Sequence, residues 1–181
     1  MPAHVAMLRG VNVARHNSIK MEQLRELCER LDLQKVETYV QSGNIIFQAK
    51  TESPELLSKR VGGSIRDSFG FETPVIVRTS NEMKNVVANN PFLKEKDIDS
   101  SKLHVTFLRD AAEKGSSKAI EKLATGQDRF YTASREIYLY CPGEYGRTKL
   151  SNNAIEKALS VTATTRNWRT TNTLLDMVSK R

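Results

Sequence analysis

Arg147 and Lys149 stand just before Ser151, a residue type that caps helices, and Arg166, Asn167 and Arg169 bracket the start of a second helical stretch. Cations beside a helix start meet free backbone N–H groups and the positive end of the helix dipole, a pairing suited to phosphate or carboxylate. A third basic segment lies near the beginning, where Arg9, Gly10, Asn12, Arg15, His16, Asn17, Ser18 and Lys20 join a strand to a helix. It is not a P-loop, since no Gly-Lys-Ser/Thr closes it, and it lacks Gly-x-Gly-x-x-Gly. The competing reading of all three segments is structural: arginines brace their own loops on backbone carbonyls, and the first loop is a capped surface connection.

Gln41-Ser42-Gly43-Asn44 reads first as a tight turn, with Gly43 supplying a positive φ and Asn44 tolerating one. Ser42 lacks the Gly-x-Ser-x-Gly elbow of an activated nucleophile, although amides of the turn can contact a ligand if it overhangs a cleft. Tyr138 and Tyr140 alternate with Ile137, Leu139 and Cys141, which places both rings on one face of a strand. Exposed among arginines, such a pair stacks single-stranded bases; packed against a neighbouring element, it is core, and that is the stronger expectation. Trp168 is read in the same way, as a packing anchor. Three histidines and two distant cysteines show no His-x-x-x-His, Cys-x-x-Cys or Asp-x-Asp spacing, so no metal site and no cofactor is expected. No carboxylate pair stands out as acid and base.

The elements that must position these residues follow from periodicity. Val5–Leu8 is apolar without alternation, as in a central strand covered on both faces. Met21, Leu24, Leu27, Cys28 and Leu31 form a helical stripe. Val36–Val40 and Ile45–Phe47 make a hairpin, Ser53-Pro54 starts a second helix weakened by Gly62-Gly63, and Val75–Val77 is a fourth strand. The order β-α-β-β-α-β is the ferredoxin-like plan. Thr79 and Glu82 offer a capping box for a connecting helix, and residues 94–101 read as a charged linker.

A second pass then begins. His4-Val5-Ala6-Met7-Leu8-Arg9 returns as His104-Val105-Thr106-Phe107-Leu108-Arg109. A strand at 103–108, a short helix at 117–124, a hairpin of 129–132 and 136–141, a helix at 151–159, a strand at 161–165 and a final helix at 168–178 complete it. The expected architecture is therefore α+β, two ferredoxin-like βαββαβ repeats with an extra C-terminal helix. Its divisions are 1–79, a connecting 80–102, and 103–181.

The 181 residues carry a formal charge of +7, with 16 Lys/Arg against 11 Asp/Glu after residue 90 and 12 against 10 before it. This tilts the chain toward anionic partners. Eight of the twelve aromatic residues also fall after Pro91, so charge and stacking surface are both concentrated in the second half. No stretch reads as a membrane span or a signal-peptide core, and Cys28 and Cys141 read as reduced thiols, which together predict a cytoplasmic protein.

Leu8-Arg9-Gly10-Val11-Asn12-Val13, Lys20-Met21, Gln41–Phe47, Tyr145–Leu150 and Thr164-Thr165-Arg166-Asn167-Trp168 occur in that order. Together they resemble the bacterial domain-of-unknown-function family one-six-nine-seven. The resemblance implies a cytosolic α+β protein with ferredoxin-like halves and no assigned activity. Members of that family often carry Gly-Gly in the first loop, where this chain has Ala14-Arg15.

The function expected from the residues is binding of a phosphate-bearing partner in a basic cleft, with nucleic acid ahead of a phosphorylated, nucleotide-like small molecule. Arg9, Arg147, Lys149 and Arg166 supply charge in that reading. Asn12, Asn44 and Asn167 supply directed hydrogen bonds, with Gln41 and Ser42 alongside. Two alternatives stand beside it. One is a small-molecule enzyme using His16 to move protons on a phosphorylated or carboxylated metabolite, and the other is a non-catalytic interaction domain. The sequence leaves the oligomeric state open.

Overall fold

The computed structural model describes every residue except Arg15 and Thr51. The first-loop cation Arg15 therefore lies outside the described residues. The chain divides into two units, one of residues 1–85 with 173–181 and one of residues 86–172.

In the first unit, β1 (Ala3–Leu8), β2 (Gln34–Tyr39), β3 (Asn44–Gln48) and β4 (Val75–Thr79) form an antiparallel sheet in the order β2-β3-β1-β4. Helices α1 (Met21–Arg30) and α2 (Pro54–Phe69) pack on one face. Ala6, Leu8, Ile45 and Phe47 meet Leu24, Leu27, Leu57, Val61 and Ile65 there. Val5 and Met7 point to the opposite face and are also buried, as the unbroken apolar run of β1 requires. Ser53 caps α2 through the Leu56 N–H, and the helix runs unbroken through Gly62-Gly63.

The connecting segment contains α3 (Ser80–Ala88), whose capping box is formed. The N–H of Thr79 donates to Glu82 at 2.8 Å, and the N–H of Glu82 donates to the Thr79 hydroxyl at 3.1 Å. The same connecting segment holds two short 3-10 turns, Pro91–Lys94 and Ser100–Lys102, at the two ends of the charged linker.

The second unit repeats the plan. Strands β5 (Leu103–Leu108), β6 (Arg129–Thr132), β7 (Glu136–Tyr140) and β8 (Ala163–Asn167) lie in the order β6-β7-β5-β8. With α4 (Ser117–Glu121) and α5 (Asn152–Leu159) they enclose Leu108, Ile120, Ile137, Leu139, Leu150 and Ile155. The registers match between copies: Val5 pairs with Arg78 as Val105 pairs with Arg166. The protein is thus an α+β fold of two four-stranded antiparallel repeats with an additional C-terminal helix, α6 (Trp168–Ser179).

Two boundaries differ from the sequence expectation. Strand β8 lies two residues later than 161–165, because its register is set by pairing of Leu108 with Ala163 through His104 with Asn167. The residues from Thr173 onward belong with the first unit, where Arg181 donates to the Lys35 carbonyl and pairs with Glu37.

Candidate functional site

Within the first unit, the loop after β1 and the β2–β3 turn are built against each other. The side-chain amide of Asn12 donates to the carbonyls of Ile19 at 3.0 Å and Gln41 at 2.7 Å, and its oxygen accepts the Ile19 N–H at 2.9 Å. Asn44 is fully buried and donates to the Tyr39 carbonyl at 2.9 Å and the Ser42 hydroxyl at 3.1 Å. Both N–H bonds of each amide are thus engaged within the fold, which corrects the expectation that Asn12 and Asn44 offer donors to a ligand. Gln41 and Ser42 are exposed at the turn. Arg9 is half-buried at the end of β1, where its backbone bonds Pro74 at 3.0 Å and accepts from the Thr73 hydroxyl at 2.6 Å. His16 is exposed in the loop, and its N–H donates to the Val13 carbonyl.

In the second unit, Arg166 departs from the expected surface role, whereas Tyr138 takes the packed position that is the stronger expectation for it. Arg166 is buried at 7% exposure, and its guanidinium donates to the Thr164 hydroxyl at 2.7 Å and the Thr165 carbonyl at 3.0 Å. Burial brings its pKa down to about 10, so it stays charged at neutral pH while facing away from solvent. Tyr138 is 3% exposed and donates to the Val86 carbonyl at 2.8 Å, so its ring offers no stacking face. Tyr140 is half-buried in a cluster with Phe92 and Arg129, the guanidinium lying 5.4 Å from its ring centre. Arg147 is exposed and meets Glu144 at 3.2 Å, and Lys149 is exposed.

What the second unit does bring together lies at the end of its sheet where β5 begins and β7 and β8 finish. The Cys141 N–H donates to the Lys102 carbonyl at 3.0 Å, and His104 sits directly across from Asn167. Asn167 then caps α6, its side-chain oxygen accepting the Thr170 N–H at 2.7 Å. The turn Ser100–Lys102, pinned by Asp99, and a 3-10 turn at Tyr145–Arg147 form the remaining walls. They bound a cleft of about 390 Å3 lined by Ser100, Ser101, Lys102, His104, Cys141, Gly143, Glu144, Tyr145, Asn167, Trp168 and Arg169.

The imidazole of His104 stacks on Tyr145, ring centres 4.1 Å apart and planes inclined by 17°. Its Nδ1 is buried without a well-formed hydrogen bond. Burial lowers the His104 pKa, opposed in part by the neighbouring Lys102 backbone. Burial also pushes the Tyr145 phenol up, against a hydrogen bond from Thr165, and takes the Cys141 thiol up to about 11. Near neutral pH the cleft therefore presents a neutral imidazole, phenol and thiol. Lys102, whose Nζ donates to the Gly143 carbonyl at 3.4 Å, and Arg169 are the cations among the lining residues, Glu144 is the one carboxylate, and the start of α6 adds its dipole.

That array suits an anion; the raised thiol pKa makes Cys141 a poor nucleophile. Among the described residues, no group of three His, Cys, Asp or Glu side chains converges to hold a metal ion. Lys102, His104 and Tyr145 are not among the residues the sequence singles out for a site. Lys102 closes the connecting segment 80–102, and His104 reads as the structural counterpart of His4. The signal that finds them is the pairing of His104 with Asn167, which becomes visible only when β8 is extended to residue 167.

No curated protein matches the chain. The fold is similar to that of a conserved bacterial protein from Streptococcus pneumoniae, with a TM-score of 0.73 at 21% identity over 98% of each chain. Residues 1–138 match the family described as a protein of unknown function (DUF1697), a span that includes the motifs at 8–13 and 41–47 and ends before those at 145–150 and 164–168. The match covers well over half of the sequence, and the chain belongs to the DUF1697 family.

Proposed function

We propose that this protein binds a phosphate-bearing small molecule in the cleft at the start of α6. The observation that carries the reading is that Lys102, Asn167 and Arg169 line one concavity of about 390 Å3 together with Tyr145 and Trp168. That volume falls at the small end of the roughly 300–1,000 Å3 typical of small-molecule sites. A bounded cleft favours a metabolite, whereas nucleic acid calls for a long basic track with open stacking faces. Burial of Tyr138 and Arg166 removes two of the groups that such a track would use. Nucleotide-like metabolites thus move ahead of nucleic acid. Two free, buried cysteines accord with a reducing, cytoplasmic setting. No helix among the described residues is long and apolar enough to cross a membrane.

The test is titration of the full chain with inorganic phosphate at about 0.15 M salt, followed by amide chemical shifts. Saturable shifts at Lys102 and at Asn167 to Arg169, weakened tenfold or more in Arg169→Glu, are expected. Shifts that fail to saturate, or that Arg169→Glu leaves unchanged, overturn the reading.

A further inference from the structure

The orientation of His104 constrains the ligand further, on the premise that the cleft takes a phosphate. One ring face lies on Tyr145, and Nδ1 is buried with no well-formed hydrogen bond, which leaves Nε2 as the ring nitrogen open to the cleft that His104 lines. A neutral imidazole carries one proton and one lone pair on its two nitrogens. With the proton on the buried Nδ1, the lone pair of Nε2 is the one presented to the cleft. His104 also lies across from Asn167, the residue that caps α6, on adjacent strands, and both line the cleft with Arg169. A bare phosphate dianion has no donor for Nε2. We infer that His104 takes this tautomer and that the ligand of the cleft is a phosphate monoester bearing a free hydroxyl close to its phosphate, as in a sugar phosphate or a nucleotide, with that hydroxyl donating to Nε2 of His104.

The lining residues fit such a molecule on both sides of the phosphate. Ser100 adds a hydroxyl that can meet further sugar oxygens, the Ser101 hydroxyl, which donates to Asp99 at 2.6 Å, can accept from one, and Trp168 with the His104–Tyr145 stack supplies apolar wall for the carbon skeleton. Glu144, the lining carboxylate, is paired outward with Arg147, which lessens its repulsion of an anion.

The experiment compares two probes of equal charge, ribose 5-phosphate and ethyl phosphate, by calorimetric titration of the wild-type chain, Lys102→Ala, His104→Phe and His104→Gln. Phenylalanine keeps a ring to stack on Tyr145 and removes the acceptor, and glutamine retains an acceptor. In the wild type, ribose 5-phosphate is expected to bind about five- to tenfold more tightly, the worth of one hydrogen bond in a partly buried site. His104→Phe should lose that preference while its affinity for ethyl phosphate is unchanged. His104→Gln should keep part of the preference, and Lys102→Ala should weaken both esters alike. Equal affinity of the wild type for the two probes, or a preference that survives in folded His104→Phe, overturns the hydroxyl assignment but leaves phosphate binding standing. If neither ester binds saturably, the cleft is not a phosphate site and both readings fall together.

Discussion

At the scale of single residues, the two strand-starting histidines connect the site to stability. His4 is 2% exposed and stacked on Phe47 with ring centres 5.6 Å apart; His104 stacks on Tyr145. Burial lowers both pKa values, in His4 against the Pro2 backbone and the charges of Glu82 and Glu52, in His104 against the Lys102 backbone. The folded protein therefore holds both rings neutral at a pH where the unfolded chain, titrating near pH ~6.5, takes up protons. The unfolded state then binds more protons, so stability is full above about pH 6.5 and falls as the pH drops from there toward the folded-state pKa values. The depressed pKa values of Glu95, hydrogen-bonded by Arg129, and Asp99, hydrogen-bonded by Ser101, weaken the fold only in stronger acid. Urea midpoints at pH about 7.5 and about 5.5 isolate the histidines. The wild type should lose stability in acid and His104→Gln should lose less; an identical loss in the variant shows that His104 does not contribute to it.

At the scale of elements, the β2–β3 turn is locked against the end of β1. Gly43 has φ +79°, and a Cβ there would lie 2.7 Å from Val11 Cγ2 and 2.9 Å from Leu8 Cβ. Its carbonyl meanwhile accepts the Leu8 N–H at 2.8 Å. Gly43→Ala combines left-handed strain with overpacking against the buried Val11 and Leu8 side chains, about 2–4 kcal/mol of lost stability. A urea midpoint within error of the wild type would show that the turn moves aside at little cost. The turn, both helix caps and the repeated strand order were legible because their signals are local: Ser53 before Pro54, Thr79 three residues before Glu82, apolar runs without alternation. The site was less so. Positive side chains near helix starts are easy to see, but their direction depends on strand register. Once β8 reaches residue 167, period two turns Thr164 and Arg166 inward and leaves Asn167 exposed, which explains why Arg166 braces the strand and Asn167 caps α6. Lys102 and Tyr145 join the site through turns before β5 and after β7, brought to one end of the sheet by the antiparallel pairing of those strands, a placement that no local pattern encodes.

At the scale of the molecule, the formal charge of +7 and the local cleft make separable claims. Excess charge spread over exposed lysines and arginines attracts any polyanion, and that attraction weakens steeply with salt because it rests on counterion release. A built site combines charge with directed hydrogen bonds and a defined volume, so it retains a ligand at salt levels that disperse nonspecific contacts. Labelled single-stranded RNA, followed by fluorescence anisotropy between about 50 and 200 mM salt, should therefore lose affinity by roughly 10³-fold or more. Single-stranded and duplex DNA should behave alike. Ribose 5-phosphate, occupying one cleft with a single phosphate, should change far less over the same range. RNA binding that persists at the higher salt and exceeds that of DNA would restore nucleic acid as the partner. It would also direct attention to the exposed cations Arg147 and Lys149, which flank the start of α5, instead of to Lys102 and Arg169. Charge reversal at Arg147 should then abolish RNA binding and lower sugar-phosphate affinity only slightly. Under the small-molecule reading the same substitution has that slight effect alone, through loss of its pairing with Glu144, because Arg147 is a solvent-exposed partner of Glu144 and not itself a wall of the cleft.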